Sequence, residues 1–235
     1  MYTRLNRLLS SIIGQHCILC GQTAKGDNPH SDFCPACLND LPTIIRACQQ
    51  CGALLESECA IRCGACATSP PYYDRVISAY AYARPIKQLI AQFKFQQQLS
   101  LAPIFAHGLL TKIGRQPSNI EALLPVPLHP ARLRQRGFNQ AIELARPLAH
   151  AYKKPILVKP VTRIRDTDTQ SSLPAKQRVK NMHDAFTCTR PLKYKAVAIV
   201  DDVMTTGSTV NALAKVLKEK GVEYIEVWCI ARANV

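Results

Sequence analysis

The chain has 235 residues, 47% of them apolar and 20% charged. That composition excludes a disordered tail or a coiled coil and suits one sizeable domain with a small module beside it. No apolar run approaches the roughly 20 residues a membrane-spanning helix needs, so stable membrane insertion is excluded as well. Lys and Arg outnumber Asp and Glu by 30 to 16, a formal charge of +14.

Leu5, Leu8, Leu9, Ile12 and Ile13 recur at helical spacing and predict an amphipathic helix over residues 1–14. Arg4 and Arg7 would allow it a membrane surface, although packing on a neighbouring element is the commoner use of such a stripe. The apolar stretch is too short for a secretory signal and runs into Gly14-Gln15-His16-Cys17 rather than a small-residue cleavage site, so a cytoplasmic protein is expected.

Nine of the 11 cysteines lie between Cys17 and Cys66. Eight of them form the pairs Cys17/Cys20, Cys34/Cys37, Cys48/Cys51 and Cys63/Cys66, each with two residues between its thiols. In a chain without an export signal, such pairs point to metal rather than to disulfides. Two pairs complete the tetrahedron that zinc prefers, and eight thiolates would close two structural sites with no position open to a substrate. Pairing in chain order is the first choice. Spacing alone leaves open an interleaved arrangement in which pairs one and three share a metal. Gly21, Gly52 and Gly64 follow pair members, where a turn needs a permissive backbone. Cys59, Cys188 and Cys229 fall outside the pattern and read as packing or surface thiols. Ser69-Pro70-Pro71 reads as a linker. It divides a module over residues 1–70 from a domain over 72–235.

Beyond the linker the texture changes. Val76 to Tyr82 reads as a strand, residues 85–95 as a helix through Ile86, Leu89, Ile90 and Phe93, and Ala122 to Val126 as a short apolar run. Residues 139–152 read as a helix despite Pro147, Pro155 to Val161 as a strand, and residues 162–186 as polar and aperiodic. Ala196 to Val200 is a strand, Val210, Leu213, Ala214 and Leu217 a helical stripe closed by Gly221, and Val222 to Ile230 a further strand. Strands alternating with helices predict βαβ units around a parallel sheet, an α/β fold.

The sharpest motif runs from Val197 to Thr209. Four apolar residues end in Asp201 and Asp202, then Thr205, Thr206, Gly207, Ser208 and Thr209 turn into the next helix. The C-terminal edge of a parallel sheet is where ligands bind, and a helix start offers backbone N–H groups and a positive dipole end to an anion. Carboxylates beside an anion cradle suit a ligand that carries both phosphate and vicinal hydroxyls. The acids would accept from a ribose 2′- and 3′-OH while the loop holds its 5′-phosphate. A strand followed by a capped helix would explain one or two of these residues but not the whole string.

This string resembles the phosphoribosyl pyrophosphate signature of the type I phosphoribosyltransferases. Pro125-Val126-Pro127-Leu128, Arg136-Gly137-Phe138-Asn139-Gln140, Arg163, Thr169-Gln170, Arg178, Asn181 and Ala185-Phe186 are spaced as in the ComF family of competence proteins, including GntX-type proteins. The match runs from about Cys17 to the C-terminus. The resemblance implies a type I phosphoribosyltransferase-like parallel sheet flanked by helices, with a small N-terminal zinc-ribbon module. It implies phosphoribosyl pyrophosphate with magnesium at Asp201, Asp202 and Thr205 to Thr209, and a pyrophosphate loop after Val126. It further implies a flap over residues 163–181, in which Arg163, Arg165 and Arg178, together with Arg136, would meet the phosphates. No general base stands out, so turnover is left open. The family points to handling of single-stranded DNA in the cytoplasm during natural transformation, with other competence proteins as partners. The alternative is an active transferase that moves phosphoribose to a base or ammonia.

Residues 130–195 hold 15 Lys and Arg against four acids. Part of this charge suits the pyrophosphate. The surplus suits a polyanion such as single-stranded DNA, with Arg132, Arg134, Phe138, Lys176 and Lys180 as candidate contacts. Tyr152, Phe186 and Tyr194 could also offer ring faces, although each aromatic is more simply a core residue. A bare solvated charged face is the competing reading. His129, His150 and His183 are isolated and receive no catalytic role.

Overall fold

The computed structural model describes residues 16–23, 32–55, 60–115, 119–165 and 185–233. The helix expected over residues 1–14, Cys59, His183 and most of the expected flap, with Lys176, Arg178 and Lys180, lie outside the described residues. The chain divides into two compact units, residues 1–42 and 43–235. The second cysteine group therefore belongs with the sheet.

In the smaller unit, Cys17 and Cys20 sit on a tight turn closed by an antiparallel bridge between His16 and Thr23. Helix α1 (Pro35–Asn39) follows, with Cys34 as its N-cap and its sulfur accepting from the Cys37 N–H. The larger unit opens on the same design. Cys48 and Cys51 share a turn closed by a bridge between Ala47 and Leu54, and Cys63 caps α2 (Gly64–Thr68), which carries Cys66. Gly21 and Gly52 complete these turns at φ of +72° and +69°, a region in which a side chain would be strained. Gly64 differs from the expectation, because it opens a helix and needs no left-handed backbone.

The sheet comprises β1 (Arg75–Ala81), β2 (Ala122–Pro125), β5 (Ala196–Met204) and β6 (Tyr224–Arg232), all parallel, in the order β1-β6-β5-β2. Between β1 and β2 lie α3 (Ile86–Phe95) and α4 (Leu101–Ile113), and after β2 come α5 (Pro130–Arg136) and α6 (Gln140–Tyr152). A separate antiparallel pair, β3 (Val161–Arg163) and β4 (Phe186–Cys188), precedes β5, and α7 (Ser208–Glu219) joins β5 to β6. The expected strand from Pro155 reduces to a single parallel bridge of Ile156 with Leu123, and the paired residues begin only at Val161.

Alternation along the strands sorts two apolar faces. Val197, Ile199, Ile225, Val227 and Cys229 pack under Val210, Leu213, Ala214 and Leu217 of α7. On the opposite face Trp228 meets Tyr152 of α6 with ring centroids 5.7 Å apart. There α4 comes so near β1 that a Cβ on Gly108 would lie 2.9 Å from Tyr80 Cζ. Phe93 of α3 and Phe105 of α4 meet edge to face at 5.7 Å. Each large side chain buried in this way contributes about 2 kcal/mol. Covering both faces leaves the C-terminal edge of the strands for polar chemistry.

Candidate functional site

β5 is buried through Val200 and then presents Asp201 and Asp202 at that edge. The two acids have different surroundings. Asp201 is half-buried, and its Oδ1 accepts the Asp202 N–H at 2.8 Å. Asp202 is only 2% exposed; Oδ1 accepts the Val203 N–H at 2.8 Å, and Oδ2 lies 2.6 Å from Lys94 Nζ. A carboxylate that deep costs several kcal/mol unless a charge meets it, and Lys94 at the end of α3 supplies that charge.

The loop after β5 is shaped by its own residues. Gly207 is the N-cap of α7 at φ +81° and caps it with no side chain. A Cβ there would lie 2.6 Å from Met204 Cε and 3.1 Å from Tyr73 Oη, so both the backbone conformation and the space demand glycine. The Thr206 and Ser208 hydroxyls bond each other at 2.8 Å, and Thr206 Oγ1 accepts the Ser208 N–H at 3.3 Å. Tyr73 is buried beneath the loop, and burial raises its phenol above the usual range.

A cavity of about 250 Å³ lies over this edge. It is lined by Asp201, Asp202, Val203, Thr205 and Thr209 from β5 and its loop, and by Val126 and Leu128 after β2. Lys94, Arg132, Arg136, Gln140 and Arg163 complete it, so four cations face two acids. Arg163 ends β3 and is 3% exposed, its guanidinium 5.7 Å from the Phe186 ring centre. Arg136 donates to Gln140 Oε1 at 2.6 Å. Asn139 caps α6 by accepting the Ala141 N–H and donates to the Val126 carbonyl at 3.0 Å, which ties the helix to the loop after β2.

Several expected residues stand elsewhere. Arg132, Arg134 and Arg136 alternate in sequence but lie on a helix. Positions 132 and 136 are one turn apart and reach the cavity, while Arg134 is exposed. Arg165 is exposed just beyond β3. Phe138 is half-buried against the Phe93 ring at 6.0 Å, Phe186 is buried, and the Tyr152 hydroxyl donates to the Gly114 carbonyl. These aromatics serve packing. Sequence reasoning missed Lys94, Gln140 as a lining group, and Arg232. A lysine in the last turn of a helix suits the helix dipole in any case, so Lys94 carried no signal of its own.

The eight paired cysteines form two groups in chain order, Cys17, Cys20, Cys34 and Cys37, then Cys48, Cys51, Cys63 and Cys66, with the sulfurs of each group within 4.8 Å of one another. Cys20 and Cys34 are 3.7 Å apart, Cys51 and Cys63 3.6 Å. A zinc–sulfur bond of about 2.3 Å places tetrahedral sulfurs roughly 3.8 Å apart, so both groups fit zinc. Burial alone would raise the Cys17 thiol, but N–H groups of Cys34, Cys20 and Leu19 overcome it and bring the thiol down to about 6. The Cys51, Cys63 and Gln50 N–H groups overcome burial in the same way at Cys48, also to about 6. Donors aimed at sulfur thus favour one thiolate in each group, while the Cys34 thiol raises Cys37 and burial raises Cys66, the repulsion and desolvation that a bound cation would offset. The second group is joined to the loop as well. The Arg232 guanidinium donates to the Cys51 carbonyl at 2.9 Å, to Met204 at 3.2 Å, and to the carbonyls of Thr205 and Ala233.

Residues 135–235 match the family model described as a phosphoribosyl transferase domain. The chain is 34% identical over 208 residues to the DNA utilization protein YhgH of Salmonella typhimurium, covering 86% of this chain and 91% of that one. It is 39% identical over 194 residues to competence protein F of Haemophilus influenzae, covering 79% and 84%. Competence protein ComFC of Streptococcus pneumoniae matches at 25% over 230 residues, covering 92% and 99%. Sheet, cysteine groups and relatives agree, and the chain belongs to the ComF family of proteins with a phosphoribosyl transferase domain.

Proposed function

We propose that this protein binds phosphoribosyl pyrophosphate at the edge of β5 and serves DNA utilization or competence in the cytoplasm by handling single-stranded DNA. The observation that carries the reading is one cavity that combines two adjacent carboxylates, a hydroxyl-bearing loop at the start of α7 and four cations. Vicinal ribose hydroxyls suit Asp201, a 5′-phosphate suits Thr205 and Thr209, and a pyrophosphate suits Arg132, Arg136 and Arg163. The ligand travels as its magnesium complex. Lys94 pairs with Asp202, so the two acids divide their work, one facing the ligand and one holding α3 to the sheet. The DNA part rests on the excess charge of residues 130–195 and on the names of the relatives.

Calorimetry with the magnesium salt of phosphoribosyl pyrophosphate tests the binding. Asp201→Asn, which leaves the Lys94–Asp202 pair intact, should weaken affinity at least about tenfold, the loss expected for removing charge-assisted hydrogen bonds. Unchanged affinity in the folded variant would end the assignment.

A further inference from the structure

Next to the cavity lies a second groove of about 240 Å³, lined by Lys94, Phe95, Gln97, Arg132, Gln135 and Arg136. It shares Lys94, Arg132 and Arg136 with the first, and its lining holds no acid. Phe95 is 74% exposed although it ends a helix whose other aromatic, Phe93, is fully buried. The Arg136 guanidinium lies 5.5 Å from the Phe95 ring centre. Gln97, at the lip, holds a φ of +55° just after the C-cap Gln96, the left-handed position on which a helix commonly ends.

We propose that this groove holds one nucleotide of a single-stranded nucleic acid, its base stacked on Phe95 and its phosphates met by Arg132 and Arg136. The proposal deepens the DNA-handling part of the function above and rests on it. An exposed ring beside arginines is the chemistry by which single strands are held, because every unpaired base has a free π-face and every nucleotide a phosphate. In a duplex those faces are already stacked on neighbouring pairs, so a lone ring can be used only by unpaired bases. The amides of Gln97 and Gln135 can donate and accept, which suits a base edge of any identity. A lipid surface would call for several apolar side chains on one face, whereas here a single ring is framed by amides and cations.

The experiment is fluorescence anisotropy at fixed salt with a labelled oligothymidine of about 15 nucleotides, near the upper site size of one binding module. The wild type, Phe95→Ala and Phe95→Tyr are compared, with a duplex as a second probe. Phe95→Ala should weaken the single-strand complex about tenfold, the loss of one stacked base. Phe95→Tyr should restore it, duplex binding should be weaker throughout, and affinity for magnesium phosphoribosyl pyrophosphate should change less than about twofold. Because Phe95 is exposed, the variants should keep the wild-type melting temperature. Equal oligothymidine binding by wild type and Phe95→Ala overturns the proposal, as does a duplex bound as tightly as the single strand. A variant that loses only free adenine, measured with phosphoribosyl pyrophosphate present, also overturns it and reassigns the groove to an acceptor base. A wild type that binds no oligothymidine defeats the DNA-handling function itself, a result distinct from failure at Phe95.

Discussion

Arg232 ends β6 and is 6% exposed, and among the described residues its charge is met by four carbonyls, those of Cys51, Met204, Thr205 and Ala233. Methionine would keep most of the stem and remove every donor. Buried carbonyls left without partners cost more than the net worth of the bonds lost, so Arg232→Met should destabilise the larger unit by about 2–4 kcal/mol in chemical denaturation. Arg232→Lys should recover only part, because one ammonium cannot fork toward partners on both sides as a guanidinium does. A loss below about 0.5 kcal/mol would mean that water replaces the arginine at no cost. Nothing in the sequence marks Arg232. It sits at the end of an apolar strand, and Cys51 lies 181 residues away in the chain. Asp201 and Thr205, by contrast, were legible as residues of one edge because their neighbours in sequence are also their neighbours around the cavity.

At the scale of elements, α6 is held at its start by one side chain. Asn139 accepts from the Ala141 N–H and donates to the Val126 carbonyl, so Asn139→Ala loses a cap and leaves a buried acceptor, a combined cost of about 2 kcal/mol. Asn139→Ser keeps a capping oxygen and loses the amide donor, so it should fall between wild type and alanine. Thermal unfolding of the two variants checks the order, and a serine variant worse than alanine would contradict it. Helices α3, α6 and α7 were readable because each buries one stripe at helical spacing. Helix α4 was not. Its half-buried Ile104, Leu110 and Ile113 extend the apolar pattern beyond the buried Leu101, Ala102, Phe105, Ala106 and Leu109, so in sequence no single face stands out. Helix α5 hid behind its alternating arginines, a strand-like pattern that seven residues are too few to correct. The strand expected from Pro155 failed for a different reason: β-forming residues there find only one bridge to the edge of β2 before the chain turns away to pair with β4.

On the scale of the whole molecule, the alternation of apolar strands and helices was enough to foresee a parallel sheet, and four CxxC pairs were enough to foresee two four-cysteine groups whose spacing fits zinc. What sequence could not show is that the second group belongs to the foundation of the cavity at the β5 edge. Cys51 holds Arg232, Arg232 holds the carbonyls of Met204 and Thr205, and Tyr73 stands beneath Gly207. Zinc bound by Cys48, Cys51, Cys63 and Cys66 would fix the turn on which this chain of contacts begins, because a closed tetrathiolate site contributes folding energy directly. Cys63→Ser with Cys66→Ser should therefore lower zinc from about two ions per chain to about one, as read by elemental analysis. The same variant should bind magnesium phosphoribosyl pyrophosphate about fivefold or more weakly by calorimetry and exchange the amides of residues 205–209 faster, although it alters no residue of the cavity. Gradual chelation of the wild type gives the same readings without a substitution, affinity falling as the second ion leaves. If that ion departs and both affinity and amide protection at the loop stay at their starting values, the metal supports only its own turn and the link through Arg232 transmits nothing.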